Sequence, residues 1–435
     1  MPNPFRHYDG VPVVDLPADP PVAPIAAWDV LQGAGGSTGA LDGASFLSQL
    51  FFYSAAISAT KLAPATGNTY SLRVNPSSGN LHPTEFHFVS RGLSGWADGL
   101  YHYRPSQHMA EQRAIGDFGF EGSLVIILTT IAWREAWKYR ERAYRYCLLD
   151  VGHAWQAVAL AARAMGCRCT AIGSFDDGAL GARPCLAGDE RPMLILKIEG
   201  GSIPLGTTAP AASTLPVGVP NSLSSHVLMP DLIPEIHAAT CENREPWERP
   251  DSEFTDTELG GRTFGNVARS RRSALDFIGG DVEISMAQLL ALLSVTREPL
   301  LTIYIYVHRV SGLEPGLYRY GAALERLKSG DQRVVAAGLS LGQNLAGNAC
   351  VALSMVADVE GAAARYGDRG YRYAHMEAGA VGHRLYLAAE ALGLRATGIG
   401  AFFDDRVHEY LDLETGQVVY HFAIGYPVPD PRLEP

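Results

Sequence analysis

The chain is short of cysteine, charge and long apolar runs, and each shortage closes a class of answers. Its six cysteines include no C-x-x-C pair, so neither a disulfide framework nor a zinc knuckle is indicated. Cys167-Arg168-Cys169 offers two soft atoms without further ligands in view, and no metal is expected. No run of about eighteen apolar residues could cross a membrane as a helix. The opening Met1-Pro2-Asn3-Pro4-Phe5-Arg6 lacks the apolar core of a secretory signal, so a cytoplasmic protein is expected. No G-x-G-x-x-G follows a strand, no Walker loop occurs and no H-E-x-x-H is present, which removes the best evidence for dinucleotide, ATP and zincin sites. Charged residues make up only 19% of the chain and sum to −11, a field that repels phosphate backbones and anionic lipid. Nucleic acid and membranes are not expected partners.

What the chain does have is apolar material, 47% of 435 residues, enough for two or more cores. It also repeats itself. Residues 144–173 and 371–400 share 13 identities at an offset of 227, where unrelated stretches would share about two. A second echo lies upstream, where Gly99-Leu100-Tyr101-His102-Tyr103 matches Gly316-Leu317-Tyr318-Arg319-Tyr320. Between the copies runs a proline-rich stretch with little helical or strand periodicity, read as a connector that could wrap one domain. The division expected is a first domain at 1–200, a connector at 201–259 and a second domain at 260–435. Within each copy the pattern is α+β. Apolar β-branched runs at 123–128 and 193–198 read as buried strands. Ala/Leu-rich stretches, Leu148 to Met165 and Gly379 to Leu392, read as central helices that stop at Gly166 and Gly393.

Four clusters could carry chemistry. Arg271-Arg272-Ser273 places two guanidiniums and a hydroxyl where they could grip a phosphate, although arginine pairs also serve as solvated or salt-bridged surface. Pro76-Ser77-Ser78-Gly79-Asn80 is a tight turn with small polar groups suited to the edge of a flat heterocycle, or a simple connector. Lys138-Tyr139 could act as base and acid if the lysine sits in a dry pocket. The repeat places Arg365-Tyr366 opposite it, and a guanidinium cannot be a base, so only the first copy keeps this option. In Gly398-Ile399-Gly400 the paired glycines let backbone approach a planar ligand and present an N–H to it. Gly35-Gly36-Ser37-Thr38-Gly39 spells G-x-S-x-G without a preceding strand and reads as a loop. His82 and His153 read as packed imidazoles.

Together, Arg271-Arg272-Ser273, Pro76 to Asn80, Gly99 to Tyr103, Lys138-Tyr139 and the two Tyr-Arg-Tyr stretches resemble the nitroreductase-like FMN-dependent superfamily. Within it the likeness is to SagB-type dehydrogenases such as azoline oxidases. The resemblance implies an α+β fold of two tandem nitroreductase-like domains, each a mixed, largely antiparallel sheet flanked by helices, folded as an intramolecular pseudo-dimer. It implies one composite FMN site: Arg271, Arg272 and Ser273 on the phosphate and ribityl chain, Pro76, Ser77, Ser78 and Asn80 on the isoalloxazine edge, and Gly398, Ile399 and Gly400 along the ring. Lys138 and Tyr139 match the pair associated with proton removal. The sequence departs from the family at Leu275, where a further arginine is usual, and at His82, where a tyrosine is usual. The expected function is oxidation of a small molecule or modified peptide by hydride transfer to FMN. Reduction of nitro compounds or quinones with NAD(P)H is the alternative, and a flavin-binding scaffold the non-enzyme reading. Expected partners are the substrate and biosynthetic partner proteins, with the chain a pseudo-dimeric monomer or a homodimer.

Overall fold

The computed structural model describes all residues except 63–66, 187, 189, 208–211, 252–260 and 434–435. Each half is built on six antiparallel strands in one order. In the first half this is Met109–Ile115, Gly99–Arg104, Thr84–Ser90, Leu124–Ile131, Glu190–Glu199, Arg168–Ile172. In the second it is Leu324–Ser329, Gly316–Tyr320, Leu301–Val307, Val351–Ala357, Gln417–Gly425, Arg395–Ile399. The two Gly-Leu-Tyr echoes are therefore equivalent strands. Leu124–Ile131 and Val351–Ala357 are buried along their whole length, as apolar runs without alternation require when both faces are covered.

A long helix packs on each sheet, Ala143–Ala164 in the first half and Gly370–Ala391 in the second. Each ends in a Schellman motif. Gly166 and Gly393 take left-handed φ of 78° and 73°, and the following residues, Cys167 and Leu394, donate back to Ala162 and Ala389. Both helices begin earlier than their apolar pattern suggests. Their Tyr-Arg-Tyr first turns are polar, but the arginines find carboxylates in the opposite half. Arg142 and Arg145 reach Asp404 (2.6 and 2.5 Å), and Arg369 and Arg372 reach Asp177 (2.7 and 2.8 Å).

These reciprocal pairs mark a pseudo-twofold axis that passes through the helix crossing. A Cβ built on Gly152 would lie 2.1 Å from the Met376 carbonyl, and one on Gly379 2.1 Å from the Leu149 carbonyl. Glycine at both positions lets the backbones touch, so the halves share one core. Phe51, Leu128 and Leu160 belong to the same buried cluster as Leu353, Val381 and Phe422. The α+β pseudo-dimer architecture read from the repeat is the architecture found.

Two features break the symmetry. Between the helix Gly43–Phe52 and the strand Thr84–Ser90 the first half inserts a hairpin, Ile57–Leu62 with Thr69–Arg73, and the Pro76–Asn80 turn. The second half spans the equivalent gap with residues 295–300 alone. The proline-rich stretch also has more structure than its lack of periodicity suggests. It contains the helix Leu232–Ala239, whose Pro234 lies in the first turn, where no helical N–H is needed. It wraps the first half through Val219–Pro220, paired with Tyr8–Asp9, and through Glu248–Arg249, which extends the first sheet beside Arg168–Ile172.

Candidate active site

A cleft of about 360 Å³ opens where the halves meet. The first half contributes the turn Asn75–Asn80 with Tyr139, Tyr146, Asp150 and His153; the second contributes Arg271–Ser273, Tyr386, Thr397–Ala401 and Tyr420. Of the residues singled out in the sequence, Pro76, Ser77, Ser78, Asn80, Tyr139, Arg271, Arg272, Ser273, Gly398, Ile399 and Gly400 all line it.

The turn is held from behind by Asp150 on the first long helix. Ser77 Oγ donates to one carboxylate oxygen (2.6 Å), and Ser78 donates through its N–H (3.1 Å) and its hydroxyl (3.0 Å). Burial nonetheless raises the Asp150 carboxyl from its ordinary value to about 7, the serine hydrogen bonds only partly opposing it. Asn80 sits at φ 60°, donates to Ser71 O (3.0 Å) and faces His82 Nε2 (3.0 Å), so its carboxamide braces the turn. His82 is buried, and desolvation together with Arg73 and Arg134 holds the imidazole neutral.

Across the cleft, Arg271 is buried and reaches into the first half, donating from Nε to Val74 O (3.1 Å) and from Nη2 to Arg73 O (3.2 Å). Its Nη1 is buried without a partner. Arg272 donates to Ser58 Oγ and Ser58 O (3.1 and 2.9 Å). Burial, then Arg271, Arg395 and Arg269, lower its guanidinium to about 10. Among the described residues no carboxylate pairs with Arg269, Arg271 or Arg272, and the nearby Glu390 is engaged by Arg262 and Arg395. A crowd of guanidiniums with a spare buried donor is an environment that accepts an anion. Leu275 is exposed, 47% of its surface open.

Ser273 Oγ lies 2.8 Å from the Tyr386 hydroxyl, which also accepts the Gly398 N–H (2.9 Å). That backbone donor is thus spent within the protein. The glycines are likewise required by the protein's own rings: a Cβ on Gly398 would stand 2.0 Å from Tyr420 Oη, and one on Gly400 2.2 Å from the Tyr146 ring. Arg142, held by Asp404, donates to Gly400 O (3.0 Å) and fixes this strand end.

Lys138 differs from its sequence reading. Its side chain is exposed instead of lying in a dry pocket, beside the turn: a Cβ built on Gly79 would stand 2.6 Å from Tyr139 Oη and 3.1 Å from Lys138 Nζ. Burial, then Glu135, raise the Tyr139 hydroxyl, so it is protonated at neutral pH. Glu135, one turn before Lys138, is fully buried with both carboxylate oxygens unpartnered, and burial followed by Asp150 raises its pKa well above the ordinary value.

Sequence reasoning missed Asp150, Tyr146, Tyr386 and Tyr420, and treated His153 as packing. A signal existed for Asp150: the repeat pairs it with Glu377, an acidic residue in the same place of two Ala/Leu-rich helices. His153, neutral through burial, contacts Tyr420 Oη at 3.1 Å. Elsewhere Asp177, His237 and Cys241 gather possible metal ligands, but Arg372 donates to Asp177 (2.8 Å), Cys241 Sγ (3.3 Å) and His237 O (2.7 Å), so the cluster already holds its cation.

The family model described as the nitroreductase family matches residues 53–200 and 303–426. A Methanocaldococcus jannaschii protein provisionally named a nitroreductase is 36% identical over 117 residues, which is 26% of this chain and 59% of that relative. The matched stretch therefore spans less than two thirds of the relative's length. A crystal structure from Anabaena variabilis, also provisionally named a nitroreductase, superposes with a TM-score of 0.77 at 27% identity, covering 98% of this chain and 94% of the other.

Proposed function

Because the chain belongs to the nitroreductase family, we propose that it is an FMN-dependent dehydrogenase that holds one FMN between its halves. Its substrate is a small molecule or a modified peptide, as in conversion of an azoline ring to an azole. The carrying observation is that two dissimilar elements face each other across one cleft: from one half an arginine cluster in which, among the described residues, no carboxylate pairs with Arg269, Arg271 or Arg272, and from the other the Pro76–Asn80 turn.

The residues suit that cofactor. Arg272 and the spare Nη1 of Arg271 would hold the phosphate, with Ser273 towards the ribityl chain. Pro76, Ser77, Ser78 and Asn80 would border the pyrimidine edge, and Gly398, Ile399 and Gly400 the ring on the far wall. Bound FMN supplies the hydride acceptor. Asp150 and Arg142 keep the two walls in register by fixing the serine turn and the Gly400 carbonyl. Tyr139 offers a protonated hydroxyl to the cleft, and Lys138 beside Gly79 takes the substrate proton and exchanges it with solvent.

One observation favours the opposite direction, reduction of an electrophile with NAD(P)H. The Lys138 side chain is exposed and is not among the residues that line the cleft. The test is to titrate the protein with FMN and then bleach it anaerobically with an azoline peptide or with NADPH. The dehydrogenase reading expects one FMN per chain, loss of binding in Arg272→Ala, bleaching by the peptide, and at least tenfold slower bleaching in Lys138→Ala. Bleaching by NADPH alone favours the reductase, and a colourless protein that ignores FMN removes both.

A further inference from the structure

The pseudo-twofold axis generates a second cleft, and part of its wall is kept. Tyr139, Tyr146, Asp150 and Gly400 of the first cleft correspond to Tyr366, Tyr373, Glu377 and Gly173. The space among these four is filled by an indole from the connector, Trp247, which is fully buried. The indole stacks on Tyr373, with centroids 4.5 Å apart and planes 11° from parallel. Its Nε1–H points at Glu377 Oε1 (3.4 Å). Its own peptide is clamped to the glycine strand: the Gly173 N–H donates to Trp247 O (3.0 Å), and the Trp247 N–H to Ser174 Oγ (2.7 Å). Arg249, two residues on, pairs with Glu377 through Nε and Nη2 (2.9 and 2.7 Å). The equivalent carboxyl in the open cleft, Asp150, has only serine donors.

The anchoring elements have gone from this cleft. The serine turn and its hairpin have no counterpart in 295–300. The helices Ala27–Gln32 and Phe264–Ser270 start side by side through reciprocal bonds, Ala27 N–H to Arg262 O and Phe264 N–H to Ile25 O. Counting on from each, Ala34-Gly35-Gly36 takes the place of Arg271-Arg272-Ser273. The G-x-S-x-G loop thus begins in the position of the lost anion grip.

We infer that the connector is the permanent occupant of the second ring site: the Trp247 indole stands where a tricyclic ring would lie, with Arg249 neutralising the acid behind it, so each chain takes one flavin. This rests on reading the open cleft as a flavin site. An aromatic plane on Tyr373, an N–H directed at an acid and a backbone hydrogen bond from the glycine strand are the contacts a flat heterocycle would make. Here they come from the chain itself.

The probe is lumichrome, a tricyclic ring without ribityl phosphate. Wild type, Trp247→Ala and Trp96→Ala, which removes a buried indole far from either cleft, are titrated after loading with FMN. We expect one FMN per chain in all three, and one additional lumichrome in Trp247→Ala bound at least tenfold more tightly than in Trp96→Ala. Equal lumichrome binding by the two variants, or two FMN per wild-type chain, overturns the inference. If Trp247→Ala does not fold, Trp247→Phe keeps a ring in the slot and must still count one FMN; two would overturn it. A wild type that binds no FMN defeats the function proposed above but leaves this test standing, because lumichrome uptake is scored as the excess of Trp247→Ala over Trp96→Ala.

Discussion

Replacing Asp150 with asparagine should alter the pH dependence of stability by a calculable amount. The carboxyl is buried and titrates near 7 in the folded chain, against an ordinary value of 3.8. Between those values the native state keeps a proton that the unfolded state has released, so stability falls as pH rises through the interval and is level on either side. Three pH units at about 1.4 kcal/mol each set an upper bound of about 4 kcal/mol. Asparagine retains an oxygen for Ser77 and Ser78 and cannot ionise. The variant should therefore match wild type within about 1 kcal/mol at pH 4 and exceed it by up to about 4 kcal/mol at pH 8. Glu135 and Glu377 are also raised by burial and slope the curves the same way; both proteins carry them, and because Asp150 contributes to the rise at Glu135, the difference reports Asp150 together with its effect on Glu135. Urea unfolding of flavin-free protein from pH 4 to 8.5 measures it. A gap that does not change with pH would refute the argument.

Gly152→Ala and Gly379→Ala should be about equally damaging, because each new methyl meets a carbonyl of the opposite helix 2.1 Å away; a loss above about 3 kcal/mol is expected by thermal or urea unfolding. The two bridging aspartates should differ in kind. Asp177→Asn strands two buried guanidiniums, with the Asp177 side chain only 11% exposed, and should cost about 3–5 kcal/mol without changing FMN affinity. Asp404→Asn, at a site 27% exposed, should cost less stability but weaken FMN binding severalfold, because Arg142 also braces Gly400. FMN fluorescence titration of both variants checks the contrast.

The duplication was legible because it is written in identities, and the likeness of the two halves in strand order and central helix follows from it. The starts of those helices were not: Tyr-Arg-Tyr reads as a polar boundary until Asp177 and Asp404 arrive from the other half. Within the site, the Arg271–Ser273 and Pro76–Asn80 clusters stood out because unusual residue types are adjacent in sequence. Tyr386, Tyr420 and Tyr146 did not, since an aromatic in an apolar helix or strand looks like packing until its hydroxyl meets a serine, a histidine or a glycine backbone. Even Gly398 and Gly400, marked as places where a planar ligand could approach closely, are approached by the protein's own Tyr420 and Tyr146. Trp247 was invisible for a different reason: its meaning depends on a symmetry axis, and the connector has no partner in the repeat.

That last point bears on how a fused pair comes to differ between its halves. Two equal clefts would each need a serine turn from one half and an arginine grip from the other, so every element serves a cleft jointly with the opposite half. Loss of the turn at 295–300 and loss of the arginines at 34–36 strike the same cleft, because the turn of the second half and the grip of the first both face it. The cleft so emptied would leave Glu377 buried without a cation and Tyr373 without a face to stack on, a cost of several kcal/mol. Trp247 and Arg249 supply both, and they are carried on the segment that joins the halves, which the repeat does not constrain. The open cleft keeps Asp150 without a cation, and its carboxyl is therefore the one whose proton should respond to what binds in front of it.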